Sequence, residues 1–228
     1  MRSGDVISYM EMCLEEGTQL QRGMNYRLLN RPYSVILMST RPGAPYADRV
    51  EDNGKVLIYE GHDVPRTEGI TDPKSLDQPL MTPNGSLTQN GRFMEAVKLY
   101  KSGNYSPEIV RVYEKLSSGI WVYNGLFQLL DGWQEADDRR KVCKFKLRLT
   151  DDVPHTAVVD LPHTRMIPSA VKVEVWKRDK GQCVICGNKE NLHFDHDIPF
   201  SKGGTSLSAA NIRLLCAKHN LAKSDRIE

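Results

Sequence analysis

The sequence lacks any apolar run that approaches the roughly 20 residues needed to span a bilayer. Its first residues, MRSGDVISYMEMCLEEG, carry acidic side chains where a signal peptide would have an apolar core. We therefore expect a cytoplasmic protein with no membrane partner.

The chain also lacks a strong charge of either sign, internal repeats and low-complexity tracts. Its formal net charge is +2 over 228 residues, so a basic surface would have to come from local clustering of lysine and arginine. Net charge thus neither indicates nor excludes a nucleic-acid partner. The length allows one large domain or two smaller ones.

Cysteine is scarce, and its placement is uneven. Cys13 and Cys143 stand singly within apolar patterns, whereas Cys183, Cys186 and Cys216 fall in the last quarter of the chain. Clustered cysteines in a reducing compartment favour a metal site over disulfide bonds.

The clustered cysteines form two ligand pairs with one histidine. Cys183-x-x-Cys186 makes a knuckle, and Cys216-x-x-His219 supplies the second pair. Four such ligands close a tetrahedral zinc site and leave no position open for catalysis. A segment of roughly 55–60 residues has too small a core to fold alone, so the expected Zn²⁺ is structural and supplies folding free energy.

Hydrophobic periodicity predicts a strand-rich first part. A helix over residues 5–20 precedes strand-like runs at 33–39 and 49–61, and Asn53-Gly54 within the second run favours a hairpin turn. The fold class is therefore expected to be α+β.

Further strands are expected after a helix predicted over about 91–101. The three strand candidates are EIVRVYEKL, GIWVYNGLFQLLDGW and KVCKFKLRLT. The last one alternates apolar side chains with Lys144, Lys146 and Arg148. Such a cationic row is typical of a solvated strand face, although it could also lie along phosphates.

The segment DDVPHTAVVDLPHTRMIP is punctuated by proline and has no sustained period, which is typical of a linker. We therefore divide the chain into residues 1–152, a linker over 153–170 and a small domain over 171–228. His155 and His163 fall in the linker and are assigned no role.

The stretch HFDHDIPFSKGGTS, from His193 to Ser206, clusters histidines and aspartates ahead of a proline and two glycines. Its DHDIP and GG, a later asparagine, LLC and HNLAKSD together resemble the HNH endonucleases, whose ββα-metal core holds one catalytic divalent cation. The resemblance covers about residues 171–228 and includes the zinc knuckles in the same order.

The resemblance implies a role for each matching residue. Asp195 and Asn220 correspond to ligands of the catalytic ion, and His196 to the general base. Asn211 corresponds to the asparagine that braces the loop carrying the histidine, and Lys223 could meet the phosphate. An imidazole suits deprotonation of water near neutral pH, and Asp and Asn oxygens suit Mg²⁺ or Mn²⁺.

One position departs from the usual zinc-bearing pattern, because His219 stands where a fourth cysteine is common. The four-ligand rule favours His219 as a zinc ligand, and the alternative is that it approaches the catalytic ion. His193 and Asp197 are expected to be exposed polar residues. A further alternative for the whole unit is a DNA clamp without chemistry, although every expected catalytic position carries a reactive residue.

The first part of the chain carries a second resemblance. PYADRVEDNGKVLIYEGHD, SGIWVYNGLFQLLDGWQE and VCKFKLRL are similar to sequences of the SRA (SET and RING associated) domain. This family is a PUA-like β-barrel with flanking helices that binds modified cytosine after flipping it out of the duplex. The resemblance extends over about residues 20–150.

Base flipping requires a pocket that stacks and hydrogen-bonds the extruded base. The resemblance assigns Tyr46 and Tyr59 to the two stacking rings and Asp48 to the carboxylate that accepts from the cytosine amino group. Strict register from Tyr46 would place that carboxylate at Arg49, so Asp63 is a second candidate.

Together these features predict an endonuclease that recognises 5-methylcytosine, or a related modified cytosine, in double-stranded DNA and hydrolyses a nearby phosphodiester. One HNH site cuts one strand, so a homodimer is a possible form. Two alternatives remain open: an HNH nicking enzyme that is indifferent to modification, and a non-catalytic protein that binds modified DNA and uses zinc only to fold.

Overall fold

The computed structural model describes residues 1–66, 70–137, 139–150, 166–198 and 204–223. They form an α+β protein with one eight-stranded sheet and a separate two-stranded hairpin, which confirms the predicted class. The strands are β1 (Val6–Ser8), β2 (Met24–Asn25), β3 (Ser34–Met38), β4 (Arg49–Glu51), β5 (Val56–Glu60), β6 (Glu108–Ser117), β7 (Ile120–Ala136), β8 (Lys141–Leu149), β9 (Leu192–His196) and β10 (Ile212–Cys216). The α-helices are α1 (Tyr9–Glu15), α2 (Gln89–Lys101), α3 (Ser169–Arg178) and α4 (Ala217–Lys223).

The large sheet has the strand order β2-β3-β6-β7-β8-β5-β4, and β1 pairs with β7. Only β3 and β6 are parallel among these described pairs; the other neighbours are antiparallel. Strand β7 is 17 residues long, so it pairs with β6 on one edge and with both β1 and β8 on the other. Its length makes β7 the central support of the sheet.

The hairpin predicted around Asn53-Gly54 is confirmed. Strands β4 and β5 are antiparallel, with Glu51 opposite Val56. Asp52 and Asn53 have φ values of 50° and 51°, in the left-handed region that Asn and Asp tolerate better than most residues. The turn therefore has residues at positions 52 and 53 that tolerate a positive φ.

Helix α2 covers one face of the sheet, close to the range predicted for it. Thr88 caps the helix by accepting a hydrogen bond from the Gly91 N–H. Phe93 is fully buried and meets Phe145 of β8 edge-on, with ring centroids 5.7 Å apart. Aromatic packing of this kind anchors the main core between α2 and the sheet.

The prediction of a helix over residues 5–20 is wrong at both ends. Residues Val6–Ser8 form strand β1, because their backbone groups pair with the edge of β7. Helix α1 starts only after Ser8, whose hydroxyl and backbone N–H form a capping box with Glu11, and it ends at Glu15. Apolar spacing alone could not show where the strand pairing stops.

The cationic row of β8 is not a uniformly solvated face. Lys144 is buried and forms an ion pair with Glu60 of the neighbouring strand β5, with 2.9 Å between Nζ and Oε2. Arg148 is exposed, as expected, and Lys146 is half-buried. The charge of Lys144 is therefore neutralised by an ion pair within the sheet and not by solvent.

The C-terminal unit consists of α3, the antiparallel β9–β10 hairpin and α4, which packs against both strands. Most of the predicted linker lies outside the described residues. Its described end is packed: Met166 is buried in the main core of the sheet, and Ile167 is buried in the core of the C-terminal unit.

Candidate functional site

The four predicted zinc-site residues come together in the fold. Cys183 and Cys186 lie in the turn after α3, Cys216 ends β10, and His219 lies in the first turn of α4. Their ligand atoms all lie within 4.8 Å of one another. Among the described residues, no other group of three or more His, Cys, Asp or Glu side chains converges in this way.

The interatomic distances in the cluster are short enough for its four side chains to hold one metal ion. Cys186 Sγ and Cys216 Sγ are 3.8 Å apart, and His219 Nδ1 lies 3.4 Å from Cys183 Sγ and 3.3 Å from Cys216 Sγ. Burial raises the pKa of Cys183, but backbone N–H groups and His219 outweigh it and lower the pKa to about 6. The arrangement thus favours a thiolate, which is the form that binds metals.

Asp195 and His196 lie at the end of strand β9, next to the last turn of α4. The Lys223 ammonium is buried, donates to Asp195 Oδ2 at 2.5 Å and also donates to the backbone carbonyl of His196. This contact differs from the phosphate contact that the HNH resemblance implies for Lys223. The lysine instead fixes the carboxylate and the strand end relative to α4.

Asn220 lies on α4, which packs against β9. The Asn220 residue is half-buried, and the Asp195 side chain is 19% exposed. Both side chains therefore keep partial access to solvent, on a helix and a strand that pack together.

His196 is held by a residue that the sequence interpretation did not include. Its Nε2 atom lies 2.8 Å from Oγ of Ser206, which is buried. Burial lowers the pKa of His196 below its ordinary value, with Lys223 acting in the same direction and Asp195 opposing it. The imidazole is consequently neutral at neutral pH, as a general base must be.

Asn211 braces the loop that follows β9. Its side-chain oxygen accepts from the Ile198 N–H at 2.8 Å, and its amide donates to the carbonyls of Ile198 at 3.1 Å and Thr205 at 3.0 Å. The Asn211 carbonyl also accepts from the Asp197 N–H at 2.8 Å. These contacts make Asn211 a positioning residue that fixes the backbone beyond His196.

The expectation that His193 and Asp197 are exposed is wrong. His193 Nδ1 lies 2.6 Å from Oδ1 of Asp5, and its side chain is only 17% exposed. Asp197 is half-buried and lies 2.7 Å from Nε of Arg213. Both side chains are therefore paired with partners distant in sequence, which local alternation cannot predict.

A second candidate site is a cavity of about 290 Å³ in the N-terminal part of the chain. Tyr46, Asp48 and Tyr59 all contribute to its wall. Asp48 is held by two backbone N–H groups, since Oδ2 accepts from Ser39 at 3.0 Å and Oδ1 accepts from Glu60 at 3.0 Å. Three of the four residues predicted for the base pocket thus surround one cavity.

Asp63, the fourth predicted pocket residue, does not line this cavity. Its carboxylate binds Arg140 at 2.5 Å, Gln78 at 3.0 Å and Lys74 at 3.2 Å. Of the two candidate aspartates, Asp48 therefore lines the cavity, whereas Asp63 is held in a network of ion pairs and hydrogen bonds outside it.

The cavity includes residues that the sequence interpretation missed or placed elsewhere. Trp121 is buried, as expected of a core residue, yet it also lines the cavity. At Gly23 an added Cβ would come within 2.6 Å of the Tyr59 hydroxyl, so only glycine fits below this ring. His62 lies outside the lining residues and stacks on Tyr46, with ring centroids 5.9 Å apart. No sequence motif marks Gly23 or Trp121, since their importance depends on long-range packing.

Two protein-family models match parts of the chain. The SAD/SRA domain model matches residues 1–152, which is more than half of the chain, so this protein belongs to the SAD/SRA domain family. The HNH endonuclease model matches residues 183–226. The chain is thus a DNA endonuclease in which an SRA domain precedes an HNH nuclease region.

Several solved structures are similar to the chain. The SUVH5 SRA domain in complex with hemi-methylated CG DNA is 27% identical, covers 69% of this chain and 94% of its own, and has a TM-score of 0.46. The SUVH5 SRA domain bound to fully hydroxymethylated CG DNA is 26% identical, with coverages of 67% and 90% and a TM-score of 0.45. The modification-dependent TagI restriction endonuclease is 22% identical, with coverages of 99% and 78% and a TM-score of 0.43.

A search of the curated proteins found no match. Among the described residues, no helix is both long enough and apolar enough to cross a membrane.

Proposed function

We propose that residues 1–152 bind a modified cytosine flipped out of duplex DNA and that residues 171–228 hydrolyse a phosphodiester near it. Residues 153–170 join the two domains. The observation that carries this proposal is the convergence of Tyr46, Asp48 and Tyr59 on one cavity of about 290 Å³. Two aromatic rings and one carboxyl group supply the stacking and the polar edge contact that an extruded base requires.

The recognition step relies on the state of Asp48. Burial raises the pKa of Asp48 to about 7, against the backbone N–H groups of Glu60 and Ser39, which lower it. A neutral carboxyl group offers one donor and one acceptor, which complement N3 and the 4-amino group of cytosine. A carboxylate offers acceptors only and would face the N3 lone pair. We propose that Asp48 binds the base in its protonated form.

The Cys₃His cluster is proposed to hold Zn²⁺. Two thiolates that each lie about 2.3 Å from a tetrahedral zinc ion are about 3.8 Å apart. The Cys186–Cys216 distance of 3.8 Å meets this expectation. His219 belongs to this cluster, which favours its assignment to zinc over the catalytic ion. All four positions are filled by protein ligands, so the role of the zinc is structural.

The nuclease site is proposed to use Mg²⁺ or Mn²⁺ held by Asp195 and Asn220, whose oxygen donors these ions prefer. When bound, the ion would neutralise charge on the scissile phosphate and on the leaving oxygen. His196 accepts a proton from the attacking water, and the ring is oriented by Ser206. Lys223 holds the Asp195 carboxylate, and Asn211 holds the loop behind His196.

Cleavage of both strands is proposed to use two copies of the chain, because each copy carries one nuclease site. The proposed substrate is double-stranded DNA that carries modified cytosine. We also propose that the protein is cytoplasmic.

Binding measured with a cleavage-deficient protein tests the recognition step. The His196→Ala variant is expected to bind a duplex with one 5-methylcytosine about fourfold more tightly than the unmodified twin, because burial of the additional methyl group contributes about 0.8 kcal/mol. Adding Tyr46→Ala should remove most of this difference in a fluorescence anisotropy titration. Tyr105→Ala, at an exposed tyrosine outside the cavity, is the matched control. Equal affinity for both duplexes would instead support an HNH enzyme indifferent to modification.

The same titration repeated across pH tests the protonated state of Asp48. Because the pKa of free Asp48 is about 7, the affinity for the modified duplex should be greatest below pH 7 and fall at higher pH. The fall should reach up to about tenfold per pH unit. Asp48→Asn carries a donor and an acceptor at every pH, so its weaker binding should not change with pH. An affinity that rises with pH would show that the carboxylate is the binding form.

A further inference from the structure

The N-terminal segment Gly4–Ser8 is hydrogen-bonded to both domains at once. On one side, the Gly4 N–H donates to the Tyr123 carbonyl at 2.8 Å and the Tyr123 N–H donates to the Asp5 carbonyl at 2.9 Å. On the other side, the Phe194 N–H of β9 donates to the Gly4 carbonyl at 3.1 Å. The segment thus connects strand β7 of the large sheet to the strand that carries the nuclease residues.

The side chain of Asp5 adds a polar contact to this connection. Asp5 forms an antiparallel bridge with His193, and its Oδ1 lies 2.6 Å from His193 Nδ1. Asp5 is also only 14% exposed, so the pair is shielded from solvent. His193 precedes Asp195 by two positions on β9, which places the two side chains on the same face of the strand. A shift of His193 would therefore shift Asp195 with it.

The backbone at Gly4 shows how close this approach is. Gly4 has a φ of 95°, and an added Cβ would come within 3.0 Å of the Phe194 carbonyl oxygen. A side chain at this position would push the segment away from β9.

Buried contacts reinforce the connection between the domains. Leu116 and Val122 of the large sheet lie in the same apolar cluster as Val175 and Phe194 of the C-terminal unit. Lys172 of α3 is buried and donates to Glu114 Oε2 at 2.5 Å and to Asn124 Oδ1 at 2.6 Å. Separating a buried ion pair strongly destabilises a folded protein, so this contact favours one fixed arrangement of the two domains.

The connection also reaches the proposed base cavity. Trp121 lines the cavity and pairs with Ile7 of β1, while Tyr123, two residues along β7, bonds the Gly4–Asp5 backbone. Three consecutive residues of β7 thus run from the wall of the cavity to the segment that holds β9.

We infer that Asp5 is a positioning residue for the nuclease: through His193 it fixes Asp195 and His196 relative to the base cavity. The cut consequently falls at a set distance from the modified base. This inference rests on the proposed function, and it concerns where and how fast the strand is cut rather than which base is bound.

Mapping of cut positions tests the inference. End-labelled duplexes with one 5-methylcytosine are cut under single-turnover conditions with Mn²⁺, and the products are resolved to single nucleotides. Wild-type protein should cut mainly at one or two phosphates. Asp5→Ala should spread the cuts over more positions and slow cleavage about tenfold, because small displacements of reacting groups cost large factors in rate. Its affinity for the duplex should stay within twofold of wild type.

Two variants serve as controls. Asp5→Asn keeps an oxygen that can accept from His193, so its cut pattern should be as narrow as that of the wild type. The different patterns of Asp5→Asn and Asp5→Ala would then come from the hydrogen bond to His193 and not from a loss of folding. Glu174→Ala removes an exposed acidic side chain of α3 and should behave as wild type. An unchanged cut pattern and rate in Asp5→Ala would overturn the inference. Wild-type cuts unrelated to the modified base would overturn the proposed function as well.

Discussion

Replacing His196 with alanine is expected to lower the rate of strand cleavage by about 10²–10⁴-fold, the usual contribution of a general base. His196 is a neutral imidazole next to Asp195. Its ring is held by Ser206, whose Oγ atom lies 2.8 Å from His196 Nε2. Single-turnover cleavage of a modified duplex with Mg²⁺ or Mn²⁺ measures the loss. Affinity for that duplex should remain within twofold, since His196 lies outside the base cavity.

A matched control is His155→Ala, at a linker histidine to which the sequence assigns no role. This variant should cleave at the wild-type rate. Cleavage by His196→Ala within threefold of wild type would show that another group activates the water and that the HNH assignment of this residue is wrong.

Loss of the Cys₃His metal is expected to unfold the C-terminal unit. Structural zinc sites contribute about 10–16 kcal/mol in small domains, far more than a small apolar core supplies. Cys183→Ser should therefore lose bound zinc, measured by elemental analysis, and should lose amide-exchange protection in β9 and β10. Strands β6 and β7 should stay protected, because their residues in the main core pack with Phe93 of α2 rather than with this unit.

Cys13→Ala is the matched control for zinc loss, because Cys13 lies in α1, away from the cluster. It should retain one zinc per chain and full protection of β9. A Cys183→Ser protein that still binds one zinc per chain would contradict the proposed ligand set.

The convergence of the three cysteines with His219 could be predicted from the sequence because its determinants are local. Cys183-x-x-Cys186 needs only one turn to bring its two ligands together, and Cys216 and His219 are likewise joined by a single turn. The role of Lys223 required the structure, since its contact with Asp195 joins two elements across the fold.

Only part of the wall of the cavity near Tyr46 could be predicted, because the lining residues come from distant segments. Tyr46 and Tyr59 were recognised through resemblance to a family. Asp48 lines the cavity and Asp63 does not, since Asp63 is paired with Arg140, which is far along the chain. The need for glycine at position 23 comes from the Tyr59 hydroxyl and His62 Nε2, which leave no room for a Cβ atom. Such contacts leave no periodic signal in the sequence.

The arrangement of the domains could not be predicted at all. The helical spacing of residues 5–20 concealed a strand, because β1 owes its conformation to pairing with β7 rather than to its own propensity. The pairing of Asp5 with His193 joins opposite ends of the chain. The buried ion pair of Lys172 with Glu114 likewise joins α3 to the large sheet, and no local pattern in the sequence marks it.

The central claim is that occupation of the cavity by a modified cytosine directs cleavage by the HNH site. The most direct test compares the cleavage rates of matched duplexes that carry cytosine, 5-methylcytosine, 5-hydroxymethylcytosine or N6-methyladenine, each with Mg²⁺ or Mn²⁺. Cleavage confined to the duplexes with modified cytosine is the expected result. Equal cleavage of all four duplexes would contradict the claim and leave a nuclease indifferent to modification, and binding without any cleavage would leave a zinc-folded protein that only binds modified DNA.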